Sequence, residues 1–279
     1  MENRDVTITQ HNNGFFANCA RRLIYITEYF NKAKELPNNV YSKTQFKRFK
    51  DKPELRNQDI TFEYFTHYNE IKTDIKFCEE IVFTHKTQWK DYGDINFNLL
   101  YPFIKKYFSL STEIYNEYEK LQNEYAIDFE NTCVLLYRGN DKKRETNICS
   151  YEDFLVKANE IYMKNNNIKF LLQSDETEFI DFFSEKFPNN SFFFRNKIRH
   201  ISKSDKKNNV ERNNPVGSNF IFSKYYLAIT YLMSKCKYII CQSGNTSLWV
   251  LFYRNHLKNL FVFYGRYNGN RKIQLWKKY

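Results

Sequence analysis

The sequence predicts an α/β protein whose C-terminal part is a doubly wound, open parallel sheet. Two observations carry this. Short apolar runs alternate with helix-length amphipathic segments from residue 131 onward, as expected of successive βαβ units. The first of those runs, Cys133-Val134-Leu135-Leu136-Tyr137, is apolar without interruption, which suits a strand covered on both faces.

The elements follow in order. Val6 to Thr9 reads as a strand and His11-Asn12-Asn13-Gly14 as a turn. Phe16, Cys19, Leu23, Ile26, Tyr29 and Phe30 then form the apolar stripe of a helix over 15–31. Residues 33–100 are less regular. They contain two strand-like runs, Ile60-Thr61-Phe62 and Ile81-Val82-Phe83-Thr84, and Pro102 opens a helical stretch through Leu121. Beyond the strand at 133–137 the pattern predicts helix 151–164, strand 168–172, helix 176–186, strand 191–194, helix 220–234, strand 238–241, a helix from Thr246 and strand 260–263. A Lys/Asn-rich surface loop lies at 202–214. The boundaries expected are 1–130 for a less regular N-terminal α/β domain and 131–279 for the C-terminal one.

Composition narrows the classes. A chain of 279 residues with 27 Phe, 22 Tyr and 3 Trp is neither a disulfide-stapled miniature nor a disordered polymer. No apolar stretch reaches the roughly 18 residues of a membrane span, and acids stand where a signal peptide would be basic and then apolar. A cytoplasmic protein without a membrane span is expected. The six cysteines form no C-x-x-C pair and read as buried small hydrophobes rather than disulfides or zinc ligands. Lys and Arg exceed Asp and Glu by 43 to 32, a net charge of +11 that favours phosphates, nucleotides or nucleic acid as partners. The basic residues are spread along the chain and no nucleic-acid module is visible, so a nucleic-acid-binding protein is the secondary reading.

Ligands of open α/β sheets bind beyond the carboxyl ends of the strands. Three polar loops occupy such places: Arg138-Gly139-Asn140-Asp141-Lys142, Gln173-Ser174-Asp175-Glu176, and Gln242-Ser243-Gly244-Asn245-Thr246-Ser247. The third runs into a helix, whose first-turn amides and dipole favour phosphate, and Arg138 can supply a bidentate cation. Singly, the plainer readings are favoured: Arg138 as a surface charge, Asp175 as a helix cap and Ser243 to Asn245 as a turn. Set on consecutive strand ends they point to a phosphate-bearing ligand. Neither G-x-G-x-x-G nor G-x-x-x-x-G-K-[ST] occurs, which excludes dinucleotide oxidoreductases and P-loop NTPases of the ordinary type.

The order of these motifs resembles the fucosyltransferase superfamily of α1,6-, α1,2- and protein O-fucosyltransferases. The resemblance rests on Leu136 to Lys142, on Phe170 to Glu176, on Ser234 to Ser247 and, in outline, on Asn13-Gly14-Phe15-Phe16 before the first helix. Leu136 stands where the superfamily has His, and Ala228 and Ile229 where it has an acid. The resemblance implies a GT-B-like architecture, two Rossmann-like domains facing across a cleft, and inverting, metal-independent transfer with no cofactor. It implies a nucleotide sugar, with GDP-fucose favoured and UDP- or other GDP-sugars as alternatives, and a glycan acceptor. It further implies donor binding by Arg138, Lys142, Ser174, Asp175, Ser243, Gly244, Asn245 and Thr246, with Asn13 and Gly14 on the acceptor side; His11, in the first N-terminal loop, reads as lining the cleft from that side or as a structural or solvated histidine. Arg138 is the expected catalytic cation. Glu145 is the expected base and Asp141 the runner-up, a solvated acid being the other reading of Glu145. No D-x-D metal motif is present.

Overall fold

In the computed structural model, residues 4–9, 13–73, 75, 79–204, 210–211, 218–265 and 275–279 are described. Contacts group them into two units. The first comprises residues 1–117 and 215–228, the second 118–214 and 229–279.

In the first unit, β1 (Asp5–Thr7) and β2 (Asn39–Tyr41) pair in parallel through α1 (Phe15–Ala33). The buried stripe of α1 includes Phe16, Cys19, Leu23, Ile26 and Phe30, as its spacing predicts. Its core is aromatic: Phe15 meets Phe16, Phe46, Phe49 and Tyr64 at ring-centroid separations of 4.9–5.6 Å. The Tyr64 hydroxyl bonds Ser223 Oγ at 2.8 Å, and the Asp51 carboxylate accepts from Asn219 and Phe220 N–H. Those bonds tie the start of α6 (Asn219–Lys235) to this unit.

Three expectations are corrected here. Ile60-Thr61-Phe62 is not a strand. Asp59 Oδ1 accepts from Thr61 N–H at 3.0 Å and the chain turns into a 3-10 helix, Thr61–Glu63. Ile81 to Thr84 keeps the alternation of a strand, with Ile81 and Phe83 buried and Val82 exposed, yet it joins no sheet. The Asn31 carboxamide of α1 takes the place of a partner strand, donating to Ile81 C=O and accepting from Ile81 N–H, both at 2.9 Å. The helical stretch around Pro102 is two helices, α2 (Phe97–Tyr107) and α3 (Thr112–Glu124). Between them the chain leaves the helix to pair with 64–66, through Thr66 N–H to Ser109 C=O and Ser111 N–H to Tyr64 C=O.

The second unit is built on β3 (Thr132–Tyr137), β4 (Lys169–Ser174), β5 (Ser191–Phe192), β6 (Tyr238–Gln242), β7 (Leu260–Tyr264) and β8 (Leu275–Lys278). Their order in the sheet is β5-β4-β3-β6-β7-β8, parallel throughout except for β8. The chain works outward from β3 to β5 and then returns to lay β6 beside β3, the reversal typical of Rossmann-like sheets. Helices α4 (Tyr151–Tyr162), α5 (Thr177–Lys186) and α7 (Asn245–Arg254) connect the strands, with α6 between β5 and β6. All six residues of β3 are buried, as its apolar run predicts. Two residues, not four, form β5, and β8 is a strand that the pattern did not announce; its Trp276 packs on Phe154 and Phe263.

Cys19, Cys133, Cys149, Cys236 and Cys241 are buried and free, while Cys78 and most of the 202–214 loop lie outside the described residues. Among the described residues no helix is long and apolar enough to cross a membrane.

Arg254, at the end of α7, donates to the carbonyls of Ser234, Cys236, Lys237 and Lys258 around the entries to β6 and β7. Arg254→Met should therefore destabilise the protein by about 2–3 kcal/mol, the usual range for losing charged hydrogen bonds in a part-buried place. Urea unfolding of both proteins measures it.

Candidate functional site

The reversal of chain direction falls between β3 and β6, so their carboxyl ends form the expected ligand crevice of the sheet. Leu136 lies opposite Cys241 on one side and Gln173 on the other, and Tyr137 lies opposite Ser174. Immediately beyond, Arg138 N–H donates to Gln242 Oε1 at 3.1 Å, joining the two strand ends. The Arg138 guanidinium donates from Nε to Asp175 Oδ2 at 2.9 Å and from a terminal nitrogen to Asp141 Oδ1 at 3.2 Å. Asp175 uses its other oxygen for Gly139 N–H at 2.9 Å, and its own carbonyl accepts from the Asn140 amide and Ile201 N–H. Asp175 is thus a bridge between loops; α5 begins after Glu176, and no side chain caps it.

Lys142 extends from the same loop toward α7. Its ammonium bonds Glu145 Oε2 at 2.8 Å, and its Cε and Nζ stand 3.4 and 3.6 Å from where a Cβ on Gly244 would be. The Lys142 side chain is 12% exposed and that of Glu145 50%. Burial lowers the Lys142 pKa, and the Glu145 carboxylate opposes that shift. Gly244 precedes the first turn of α7, where Asn245 and Thr246 lie. Ser243 N–H is spent on Phe263 C=O at 2.9 Å, and Ser174 Oγ accepts from Glu176 N–H at 3.0 Å.

The structure therefore brings Arg138, Asp141, Lys142, Glu145, Asp175 and Gly244 into one constellation, with Ser174, Ser243, Asn245 and Thr246 on the adjoining strand ends and helix start. Asn13 and Gly14 belong to the first unit, where their carbonyls accept from the Asn18 carboxamide; Gly14 precedes α1. His11 lies outside the described residues. No group of three or more His, Cys, Asp or Glu side chains arranged to hold a metal occurs among the described residues.

Sequence reasoning placed Gln173 and Glu176 in a candidate loop without giving either a role, and it did not single out Tyr151. Glu176 is 1% exposed, accepts from the Tyr151 hydroxyl at 2.6 Å and lies 3.6 Å from Lys203 Nζ. Its carboxyl group covers Gly139 so closely that a Cβ there would stand 2.1 Å from Glu176 Cδ and Oε1. Burial raises the Glu176 pKa, with Tyr151 and Lys203 acting the other way. The one signal available in sequence was the glycine directly after Arg138.

No sequence-family model matches the chain, and no curated protein matches it by sequence. Solved structures do match. Over 100% of this chain and 99% of the other, a fucosyltransferase NodZ from Bradyrhizobium superposes with a TM-score of 0.52 at 10% identity. A NodZ α1,6-fucosyltransferase co-crystallized with GDP gives 0.50 at 13% identity over 94% and 95%. The fold is fucosyltransferase-like. In shorter matches this chain spans about half of NodZ soaked with GDP-fucose (53%) and 38% of an Arabidopsis thaliana FUT1 mutant, with TM-scores of 0.42 and 0.39. At these identities the likeness concerns the fold; chemistry has to come from the site.

Two outcomes follow from Glu176. Gly139→Ala should destabilise by about 1–3 kcal/mol through overpacking, and adding Glu176→Ala should recover part of the loss by removing the colliding carboxyl; thermal melts of the single and double variants test this. A carboxyl whose folded pKa is raised stabilises the fold most when protonated. Its contribution should be largest below the ordinary Glu range and fall as pH rises through the raised value. Stability measured from pH 4 to 8 should decline less steeply in Glu176→Gln.

Proposed function

We propose that this chain is a glycosyltransferase that moves a sugar from a nucleotide sugar, GDP-fucose first among the candidates, to a hydroxyl of a glycan, with inversion and without a metal. The observation that carries the reading is a paired cation site at the sheet's switch point: Arg138 locked by Asp175 and Asp141, and Lys142 laid against the start of α7. The GDP in a co-crystallized NodZ of the same fold supports the choice of nucleotide.

The chemistry is a displacement at the anomeric carbon. The acceptor oxygen forms a bond to that carbon, the bond to the β-phosphate oxygen breaks, and the diphosphate leaves with the electron pair. Positive charge fixed in advance at that phosphate stabilises the transition state. Asp175 and Asp141 hold the Arg138 fork before the donor arrives, so little reorganisation is left for the reaction itself. Lys142 is held differently, by a half-exposed Glu145. A diphosphate approaching Lys142 competes with that carboxylate, and once displaced Glu145 is available to take the acceptor proton. Donor binding and base release are then one event. UDP- or another GDP-sugar fits the same phosphate site.

The burial of Asp175 changes which mutant is informative. Arg138→Ala strands a carboxylate that is 7% exposed, and should cost about 1–3 kcal/mol of stability besides activity. Arg138→Lys keeps the charge but loses the fork. Its transfer rate should drop about a hundredfold or more, with a near-normal melting temperature. Glu145→Gln should lower kcat while GDP binds as well as to the parent or better. Transfer by the parent should persist in EDTA, because the cations are side chains. Rates with GDP-fucose and a panel of glycans, GDP titrations and melts decide these points; wild-type turnover in Arg138→Lys removes the central residue of the reading.

A further inference from the structure

Gln173 presents a polar group that the fold does not use. It is the fifth residue of β4, sits opposite Leu136 and is 6% exposed. Its Oε1 is buried and accepts no hydrogen bond. Its neighbours across and along the sheet, Leu136, Leu171 and Cys241, are buried and apolar, so leucine would serve packing there better.

Strand periodicity places this carboxamide. Alternate residues of a strand share a face, so Gln173 and its cross-strand partner Leu136 lie on the face opposite Tyr137 and Ser174, two residues before the chain leaves the strands at Asp175 and Arg138. Arg138 and Asp175, the second residues beyond Leu136 and Gln173, meet at 2.9 Å past those strand ends. The opposite face carries Tyr137 and Phe170, packed on Phe179 and Phe187 of the α4–α5 layer. Gln173 is therefore two residues of chain, about 7 Å, from the ion pair that grips the proposed phosphate, on the face away from α4 and α5.

We propose that Gln173 is a specificity-determining residue whose Oε1 accepts a hydrogen from the nucleoside part of the donor. This rests on the nucleotide-sugar reading above. A phosphate held by Arg138 leaves its nucleoside a few ångströms away, and a buried amide acceptor rejects a ligand that offers it no N–H or O–H. Two groups of a nucleotide have that chemistry, an amino or imino group of the base and a ribose hydroxyl.

The test titrates the full chain, as wild type and as Gln173→Leu, with GDP, UDP, their 2′-deoxy forms and IDP, and records melting temperatures without ligand. Gln173→Met replaces the leucine variant if that one fails to fold. Wild type should discriminate at least tenfold within the set. Weak binding of IDP relative to GDP identifies the base amino group, weak binding of the deoxy forms the ribose, and preference for GDP over UDP with neither effect another group of the base. The variant should lose at least tenfold in affinity for the preferred nucleotide and lose the discrimination, while its melting temperature is unchanged or higher. Equal affinity of wild type and variant overturns the proposal and leaves the nucleotide-sugar reading standing, as does a variant that melts lower with its discrimination intact. If wild type binds no diphosphate, the underlying reading is wrong and this inference falls with it.

Discussion

Asp175 is the residue on which the arrangement of the strand ends depends. Its carboxylate meets both the backbone and the guanidinium of the loop after β3, while its carbonyl receives the segment beyond β5. A carboxylate this deeply buried has to be compensated by donors, and the donors present are a charged fork and a main-chain N–H. Three connections that are distant in sequence are thereby fixed to one another at the end of β4. The same compensation orients Arg138 away from solvent-exposed freedom, so the cation is placed by the fold rather than by a ligand.

The second constraint is steric. Glycine at 139 allows the Glu176 carboxyl to lie against the loop backbone, and Tyr151 secures that carboxyl from the other side. Charge and shape thus act on one short segment from two directions. Lys142 lacks such an enclosure on its acidic side, since Glu145 is half exposed. The two cations thus differ in the acids they meet, two carboxylates, one of them buried, for Arg138 and a half-exposed one for Lys142.

Much of this was legible in the sequence. The β3 run, the alternation that follows it and the polar loop after each strand are local patterns, and local patterns are what burial on both faces of a parallel sheet imposes. Arg138 and Asp175 could be picked out because each is polar just past an apolar run. The failures have a common cause. At Ile60 and Ile81, side chains of Asp59 and Asn31 take over backbone hydrogen bonds that the pattern assigns to a strand. Gln173 and Glu176 stood in a candidate loop without a role, and Tyr151 outside it, because a buried polar group looks the same in sequence as an exposed one. The fucosyltransferase-like fold was legible only through the order of several weak motifs, none of which is specific alone.

The carboxamide of Asn31 has a consequence beyond the shape of its own segment. Residues 81–84, Ile-Val-Phe-Thr, alternate between buried and exposed and are rich in strand-forming side chains, with Val82 65% exposed. A run of that kind pairs with a strand of another molecule where its main-chain groups are open, and here the N–H and C=O of both Ile81 and Thr84 are bonded within the chain. Asn31 occupies the donor and the acceptor of Ile81 together, so an incoming chain finds that rung of the ladder already filled. A single side chain on a neighbouring helix thus closes one end of a strand-forming run to further pairing, from a position 50 residues away in sequence.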